Sequence, residues 1–234
     1  MRILILNCDF DQNQETNGAE LLRRYLTGFG ISEIVSYNVF ASHFPPEEEL
    51  SYFSGIIITG SRASVYENLE WIRRLENTVR SVDNMGIPAL GICFGFQIVA
   101  QSLGGNIRPS GSFEEGFLPI DLLPAGHDHF LFNGFSLTPV FYQSHGDIAD
   151  RLPEASIILA RNKHSIQAYT IRNFFCVQLH PEILPETAIK MAFRDGEKID
   201  GILNSVDKGY HMPLRILSNF LEYCKRKETI QTAS

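Results

Sequence analysis

Long apolar runs are missing from this chain of 234 residues. The first apolar stretch, Ile3-Leu4-Ile5-Leu6, stops at Asn7-Cys8-Asp9, too short for a signal-sequence core or a membrane span. It reads as a buried strand, and no membrane partner is expected. Basic runs are scarce as well. None exceeds Lys225-Arg226-Lys227, and the formal net charge is −7, so no electrostatic nucleic-acid surface is expected. Cysteine is limited to Cys8, Cys93, Cys176 and Cys224. These are scattered without disulfide or metal-ligand spacing, which fits a reducing, cytoplasmic setting. Internal repeats and low-complexity linkers are also absent. With 44% hydrophobic residues the chain can bury one substantial core, and a single domain over residues 1–234 is expected.

Against these absences stands Gly91-Ile92-Cys93-Phe94-Gly95-Phe96-Gln97. It follows Ile87-Pro88-Ala89-Leu90 and leads into Ile98-Val99-Ala100-Gln101-Ser102-Leu103, so strand, sharp turn and helix meet with cysteine at the apex. The spacing is that of the nucleophile elbow, G-x-S-x-G, with sulfur in place of oxygen. The nucleophile of such a turn sits in a strained backbone conformation, and small residues two before and two after it avoid collision. The helix that begins there aims N–H groups and the positive end of its dipole at the sulfur, favouring thiolate. In isolation a packed core thiol fits the same pattern.

Val177-Gln178-Leu179-His180-Pro181-Glu182 supplies what the cysteine lacks. An apolar strand, Phe174 to Val177, ends in a histidine and a carboxylate two residues apart. An extended segment turns both side chains the same way, and Pro181 stiffens the link. Cys93 as nucleophile, His180 as base and Glu182 as orienting carboxylate then make a catalytic triad in the order Cys, His, Glu. His145 lacks an adjacent orienting carboxylate and suits a structural hydrogen bond. His127 and His129 form half a metal site without clear further ligands. No metal or cofactor is expected, because a thiolate supplies the nucleophile.

With these residues in view, the chain resembles the class I (triad-type) glutamine amidotransferases, especially the amidotransferase domain of GMP synthetase and its free-standing relatives. The likeness runs from Met1 to about Leu184. Thr59-Gly60-Ser61-Arg62-Ala63-Ser64-Val65-Tyr66 is similar to the family's S-G-G-P-x-S-V-Y oxyanion loop, and Gly91 to Gln97 to its G-x-C-x-G-x-Q. Glu114-Glu115-Gly116-Phe117 is similar to E-x-G-W, Ser144-His145-Gly146-Asp147 matches the S-H-G-D loop, and His180-Pro181-Glu182 matches H-P-E. The resemblance implies an oxyanion hole from the backbone N–H groups of Ser61 and Phe94. It implies further that Gly60, Gln97, Ser144, Gly146 and Asp147 face the glutamyl unit, with Glu114 a structural or rim acid. One departure is that Ser61 and Arg62 replace the family's second glycine and proline. Serine keeps the N–H donor but resists positive φ.

The pattern along the chain is alternating. Gly18 to Leu26 carries apolar residues at helical spacing, Ile34 to Tyr37 and Gly55 to Thr59 read as strands, and Glu67 to Met85 reads as a helix stopped by Gly86. This predicts an α/β fold: a mostly parallel central sheet with helices on both faces, flavodoxin-like by the resemblance. Phe113 to Leu179 reads as shorter strands in a small antiparallel extension. Leu214 to Lys225 reads as a final helix. Residues 183–212 exceed what the simplest amidotransferase domain needs; a lid, a partner surface and a helical cap remain open for them.

Three functions follow. The first is hydrolysis of the glutamine γ-carboxamide through a γ-glutamyl thioester, the ammonia passing to a separate synthetase subunit. No S-G-G-x-D-S or G-x-x-x-x-G-K-[ST] loop occurs in this sequence. The second is a self-contained hydrolase of γ-glutamyl peptides or conjugates, which differs only in the leaving amine. The third is a non-catalytic regulatory relative, against which the intact triad speaks.

Overall fold

Strands that are apolar on both sides need cover on both faces, and the computed structural model, which describes residues 1–195 and 213–233, provides it. Strands β1 (Arg2–Asn7), β3 (Gly55–Ile58), β4 (Ala89–Ile92) and β10 (Phe174–Val177) are buried nearly end to end. They belong to an eight-stranded sheet of order β2-β1-β3-β4-β10-β9-β8-β6. Here β2 is Glu33–Asn38, β6 Asp121–Leu122, β8 Ile157–Arg161 and β9 Ile166–Ile171. From β2 to β10 the strands run parallel; β9, β8 and β6 continue antiparallel.

Alternate residues of each strand feed opposite faces. Ile3, Ile5, Ile57 and Leu90 meet Leu22 and Leu26 of α1 (Gly18–Gly28) and Ile216, Leu217 and Phe220 of α6 (Arg215–Ala233). Leu4, Leu6, Ile56 and Ile58 meet α2 (Glu70–Met85) through Trp71, Ile72, Leu75 and Val79, and α3 (Phe94–Ser102) through Phe96 and Val99. A short helix, α4 (Pro124–His127), lies after β6. The expected mostly parallel sheet with helices on both faces is therefore present.

Several boundaries differ from the sequence reading. Helix α2 begins at Glu70, because Glu67 closes a turn in which its Oε1 accepts the Ser64 N–H at 2.7 Å. It ends as expected at Gly86, at φ 66°. Helix α6 continues past Lys225, where no glycine or proline stops it. The region expected to hold a small antiparallel extension of short strands does contain β8 and β9, but it also holds longer strands than expected. Strand β5 (Asn106–Pro119) has 14 residues and β7 (Val140–Arg151) has 12, and they pair as a separate two-stranded sheet. Gly111 and Gly116, at φ 82° and 100°, look like turn signals but belong to one strand with an irregularity between Pro109 and Glu114. The S-H-G-D segment is likewise strand, within β7, rather than loop.

Of residues 183–212, the described part holds α5 (Pro185–Asp195), whose Ala188 and Ala192 pack with Leu21, Phe117, Tyr142 and Ile183. Residues 196–212 lie outside the described residues. Among the described residues no helix is long and apolar enough to cross a membrane.

Candidate active site

Open α/β sheets gather ligands at the carboxyl ends of strands where the strand order reverses. The order here reverses around β1 and β3, and the ends of β1, β3, β4 and β10 surround a cavity of about 630 Å³. Cys93 stands at its floor, directly after β4. Its φ of 50° and ψ of −100° are strained for a residue with a Cβ. The flanking glycines explain how the turn closes. A Cβ on Gly91 would meet the Gly95 carbonyl oxygen at 2.6 Å, and one on Gly95 would collide with the Ile58 carbonyl. Cys93 caps α3, its carbonyl accepting the Gln97 N–H at 3.1 Å, and its own N–H donates to Val177 O at 2.8 Å.

His180 follows β10, and its N–H donates to the Tyr142 carbonyl of β7 at 2.9 Å. Its Nδ1 lies 2.8 Å from Glu182 Oε1, and its ring and Cys93 both crowd Gly60. The two side chains do not meet along an extended strand, as their spacing suggested. Residues 181–182 form a turn, with Ile183 N–H reaching back to His180 O at 3.4 Å. Burial by itself disfavours a charged imidazole. The Glu182 carboxylate and the sulfur of Cys93 outweigh it and raise the His180 pKa well above the usual histidine value. Gly60 lets the ring sit close: a Cβ there would lie 3.0 Å from His180 Cε1 and 3.6 Å from Cys93 Cβ.

The remaining expected residues converge on the same cavity. Gly60, Ser61, Gln97, Ser144, Gly146 and Asp147 all line it, and Phe94 is the first residue of α3. Ser61 lies outside the left-handed region, and its Oγ accepts the Ala63 N–H at 3.2 Å. Ser144 O is 3.8 Å from Cys93 Sγ. The Gln97 amide donates at 3.3 Å to both Asp147 O and Gln178 Oε1, so it braces the site internally. The Asp147 carboxylate accepts from Ser64 Oγ at 2.6 Å and Tyr66 OH at 2.9 Å.

His127 and His129 lie elsewhere. His127 faces Asp128 at 3.3 Å, and the His129 ring packs on Phe130 and Phe175. Among the described residues no group of three His, Cys, Asp or Glu side chains could hold a metal ion.

Some residues in and behind the cavity wall were not anticipated. Gln178, two residues before His180 and fully buried behind the cavity, donates to Cys93 Sγ at 3.6 Å. Asp9 lies at the end of β1, with Oδ2 accepting the Gly18 N–H at 2.9 Å and Oδ1 the Asp11 N–H at 3.0 Å. Burial raises its pKa, and those two N–H bonds pull it partly back. An acid at the carboxyl end of the first strand was a readable signal. Met191 and Arg194 of α5 also line the cavity, Arg194 pairing with Asp11 and Thr16. No pattern in the sequence announces that long-range contact.

A family model described as glutamine amidotransferase class-I matches residues 16–198, and the chain belongs to that family. A GMP synthase [glutamine-hydrolyzing] from Lactobacillus delbrueckii subsp. bulgaricus is 32% identical over 191 residues, 78% of this chain and 33% of that protein. The chain thus spans about a third of the length of such GMP synthases. Gamma-glutamyl peptidase 4 of Arabidopsis thaliana is 27% identical over 204 residues, 80% of each chain. The crystal structure of a glutamine amidotransferase from Thermotoga maritima has a TM-score of 0.77 at 18% identity, over 96% of this chain and 97% of that one, a likeness of fold.

Proposed function

We propose that the chain hydrolyses the γ-carboxamide of glutamine through a γ-glutamyl thioester on Cys93. The observation that carries this reading is His180, with Nδ1 2.8 Å from Glu182 Oε1 and its ring packed beside Cys93 against Gly60, over an open cavity. Cys93 Sγ attacks the γ-carbonyl carbon, and the oxyanion is received by the N–H groups of Phe94 and Ser61. Loss of one such donor typically costs about two to three powers of ten in rate. His180 passes its proton to the nitrogen as the C–N bond breaks and ammonia leaves. It then takes a proton from water, whose oxygen attacks the thioester; glutamate departs and the sulfur is released. Glu182 keeps the imidazole in the required tautomer and offsets its positive charge. Ammonia then passes to a separate acceptor or synthetase.

A second reading is a self-contained hydrolase of γ-glutamyl peptides. Its support is the cavity, whose 630 Å³ lies in the range that houses ligands larger than one amino acid. A further support is the relative named gamma-glutamyl peptidase 4, aligned over four-fifths of both chains. The test is glutamate release from glutamine and from a panel of γ-glutamyl peptides. We expect turnover to disappear in a folded Cys93→Ala protein; retained activity there ends both readings. Preference for glutamine selects the first, and preference for peptides selects the second.

A further inference from the structure

The resemblance turns the Asp147 side chain toward the glutamyl unit, yet both of its carboxylate oxygens are engaged elsewhere. Oδ2 accepts from Ser64 Oγ at 2.6 Å and Oδ1 from Tyr66 OH at 2.9 Å, across 83 and 81 residues of sequence. An ionised acceptor makes such bonds short and strong. Val65, between the two donors, is buried in the core, and its carbonyl accepts from Gln101 Nε2 at 2.9 Å. The backbone of Asp147 is engaged as well, its carbonyl accepting from Gln97 Nε2 of α3 at 3.3 Å. One residue therefore joins three elements: β7, the helix that begins after Cys93, and the segment after β3 that carries Ser61.

That segment needs such a tie. Residues 60–66 belong to no helix or strand, so no ladder fixes their backbone. The start is pinned beside the nucleophile: Thr59 N–H donates to Leu6 O at 3.2 Å, and a Cβ on Gly60 would lie 3.6 Å from Cys93 Cβ. Further along, Ser61 Oγ accepts the Ala63 N–H at 3.2 Å and Glu67 Oε1 accepts the Ser64 N–H at 2.7 Å. These two bonds are local and hold the shape of the turn. The bonds to Asp147 fix where the turn sits against the wall formed by Ser144 and Gly146. An oxyanion donor is effective when its direction is set before charge develops. Serine at position 61 has less freedom to reorient than glycine, so the placement of its loop decides where its N–H points.

We propose that Asp147 is a positioning residue whose carboxylate clamps the loop 60–66 to β7 through Ser64 and Tyr66, and so sets where Ser61 presents its N–H to the forming oxyanion. The inference rests on the amidotransferase reading for the oxyanion, but the clamp itself does not.

The test uses the full chain with Asp147→Ala, Asp147→Asn and Tyr66→Phe, and with Tyr52→Phe as control. Tyr66 and Tyr52 are 47% and 64% exposed, so each tyrosine variant loses one oxygen and keeps its packing. Amide hydrogen exchange over residues 60–67 should rise about tenfold or more in Asp147→Ala, rise less in Tyr66→Phe and Asp147→Asn, which each keep part of the clamp, and stay near wild type in the control. Loss of an oxyanion donor costs about two to three powers of ten, so its misplacement in Asp147→Ala should lower kcat roughly ten- to a hundredfold, with KM within about threefold. Adding Tyr66→Phe to Asp147→Ala should cost no more than about twofold further, because the hydroxyl has already lost its partner. Alkylation of Cys93 by iodoacetamide, which displaces iodide without forming an oxyanion, should stay within about twofold. Unchanged exchange in folded Asp147→Ala overturns the proposal, even if the wild type turns over nothing. A rise in KM with kcat constant also overturns it, by placing the Asp147 carboxylate on the substrate. Alkylation that falls as far as turnover overturns it too, since the damage then lies at the nucleophile. Wild-type inactivity with the expected exchange change supports the clamp and counts against the amidotransferase reading alone.

Discussion

Cys93 and His180, the proposed nucleophile and base, reach one cavity from neighbouring strands, yet they are held by different means. Cys93 is placed by short-range sterics. Its strained φ of 50° is enforced by Gly91 and Gly95, whose missing Cβ atoms allow strand, turn and helix to touch. His180 is placed mainly by contacts distant in sequence: Tyr142 O on its N–H, Gly60 against its ring and Cys93 beside it, with Glu182 and Ile183 close by. The elbow is a property of the fold, and the base loop is a property of the assembled site. Damage to the first should therefore appear in stability, and damage to the second in rate.

The largest expected effect breaks the base side. Glu182→Gln keeps the shape and removes the charge that raises the His180 pKa. Turnover should fall by on the order of 10³–10⁴, as when the orienting acid of other triads is neutralised, while the protein still folds. Its alkaline limb should also move. Glu182 favours the protonated imidazole, so without it His180 loses its proton at lower pH, and the pH–rate profile should fall off earlier on the alkaline side. A profile that drops in height but keeps its alkaline limb would place the His180 charge under some other control.

The elbow side breaks differently. Gly95→Ala drives a methyl group into the Ile58 carbonyl of β3, and backbone has no rotamer with which to yield. The cost should reach or exceed the upper end of the usual overpacking range, about 1–3 kcal/mol. A clear fall in the urea midpoint is expected, and an unshifted midpoint would contradict the steric account. Gly60→Ala sits between the two cases. Its methyl group would press on His180 Cε1 at 3.0 Å, close enough to displace the ring but not to distort a strand. Rate should fall roughly ten- to a hundredfold through misplacement of the base, with thermal stability nearly unchanged. Equal losses in stability from Gly95→Ala and Gly60→Ala would erase the distinction drawn here.

The same contrast explains what the chain made legible before any coordinates. The elbow could be read because its cause is local: glycine two residues either side of cysteine, between an apolar strand and an apolar helix. The contact of His180 with Glu182 could be read because the two are two residues apart, although a turn and not an extended strand brings them together. The parallel sheet followed from strands such as Ile56-Ile57-Ile58 that are apolar on both sides. The start of β5 went unread and the length of β7 was not foreseen, since Pro109, Gly111 and Gly116 interrupt the alternation that marks a strand. Arg194 on Asp11 spans a long sequence separation between residue types that are usually solvated, and no periodicity marks such a contact. Gln97 was read for its motif. It lines the cavity, but its amide is spent on Asp147 and Gln178.

Two histidines carry the comparison to its smallest effect. His180 is buried and His129 half-buried, but only His180 has a carboxylate, so their pKa values move in opposite directions. His129 rests between Phe130 and Phe175, ring centroids 4.6 and 5.7 Å away, and burial pushes its pKa down to about 4. In the unfolded chain a histidine takes its proton near pH 6.5. Between these values the unfolded state binds the proton and the native state does not, so acidification favours unfolding. His129 therefore contributes stability that is fully present above pH 6.5 and is lost as pH falls toward 4. His129→Phe removes this titration and also the Nδ1 acceptor that caps the Leu131 N–H at 3.3 Å. The variant should begin slightly less stable at pH 7 and lose less of its urea midpoint than the wild type on going to pH 4.5. Parallel losses in the two proteins would mean that His129 is charged in its aromatic nest. Burial without a partner would then not be what separates it from the base.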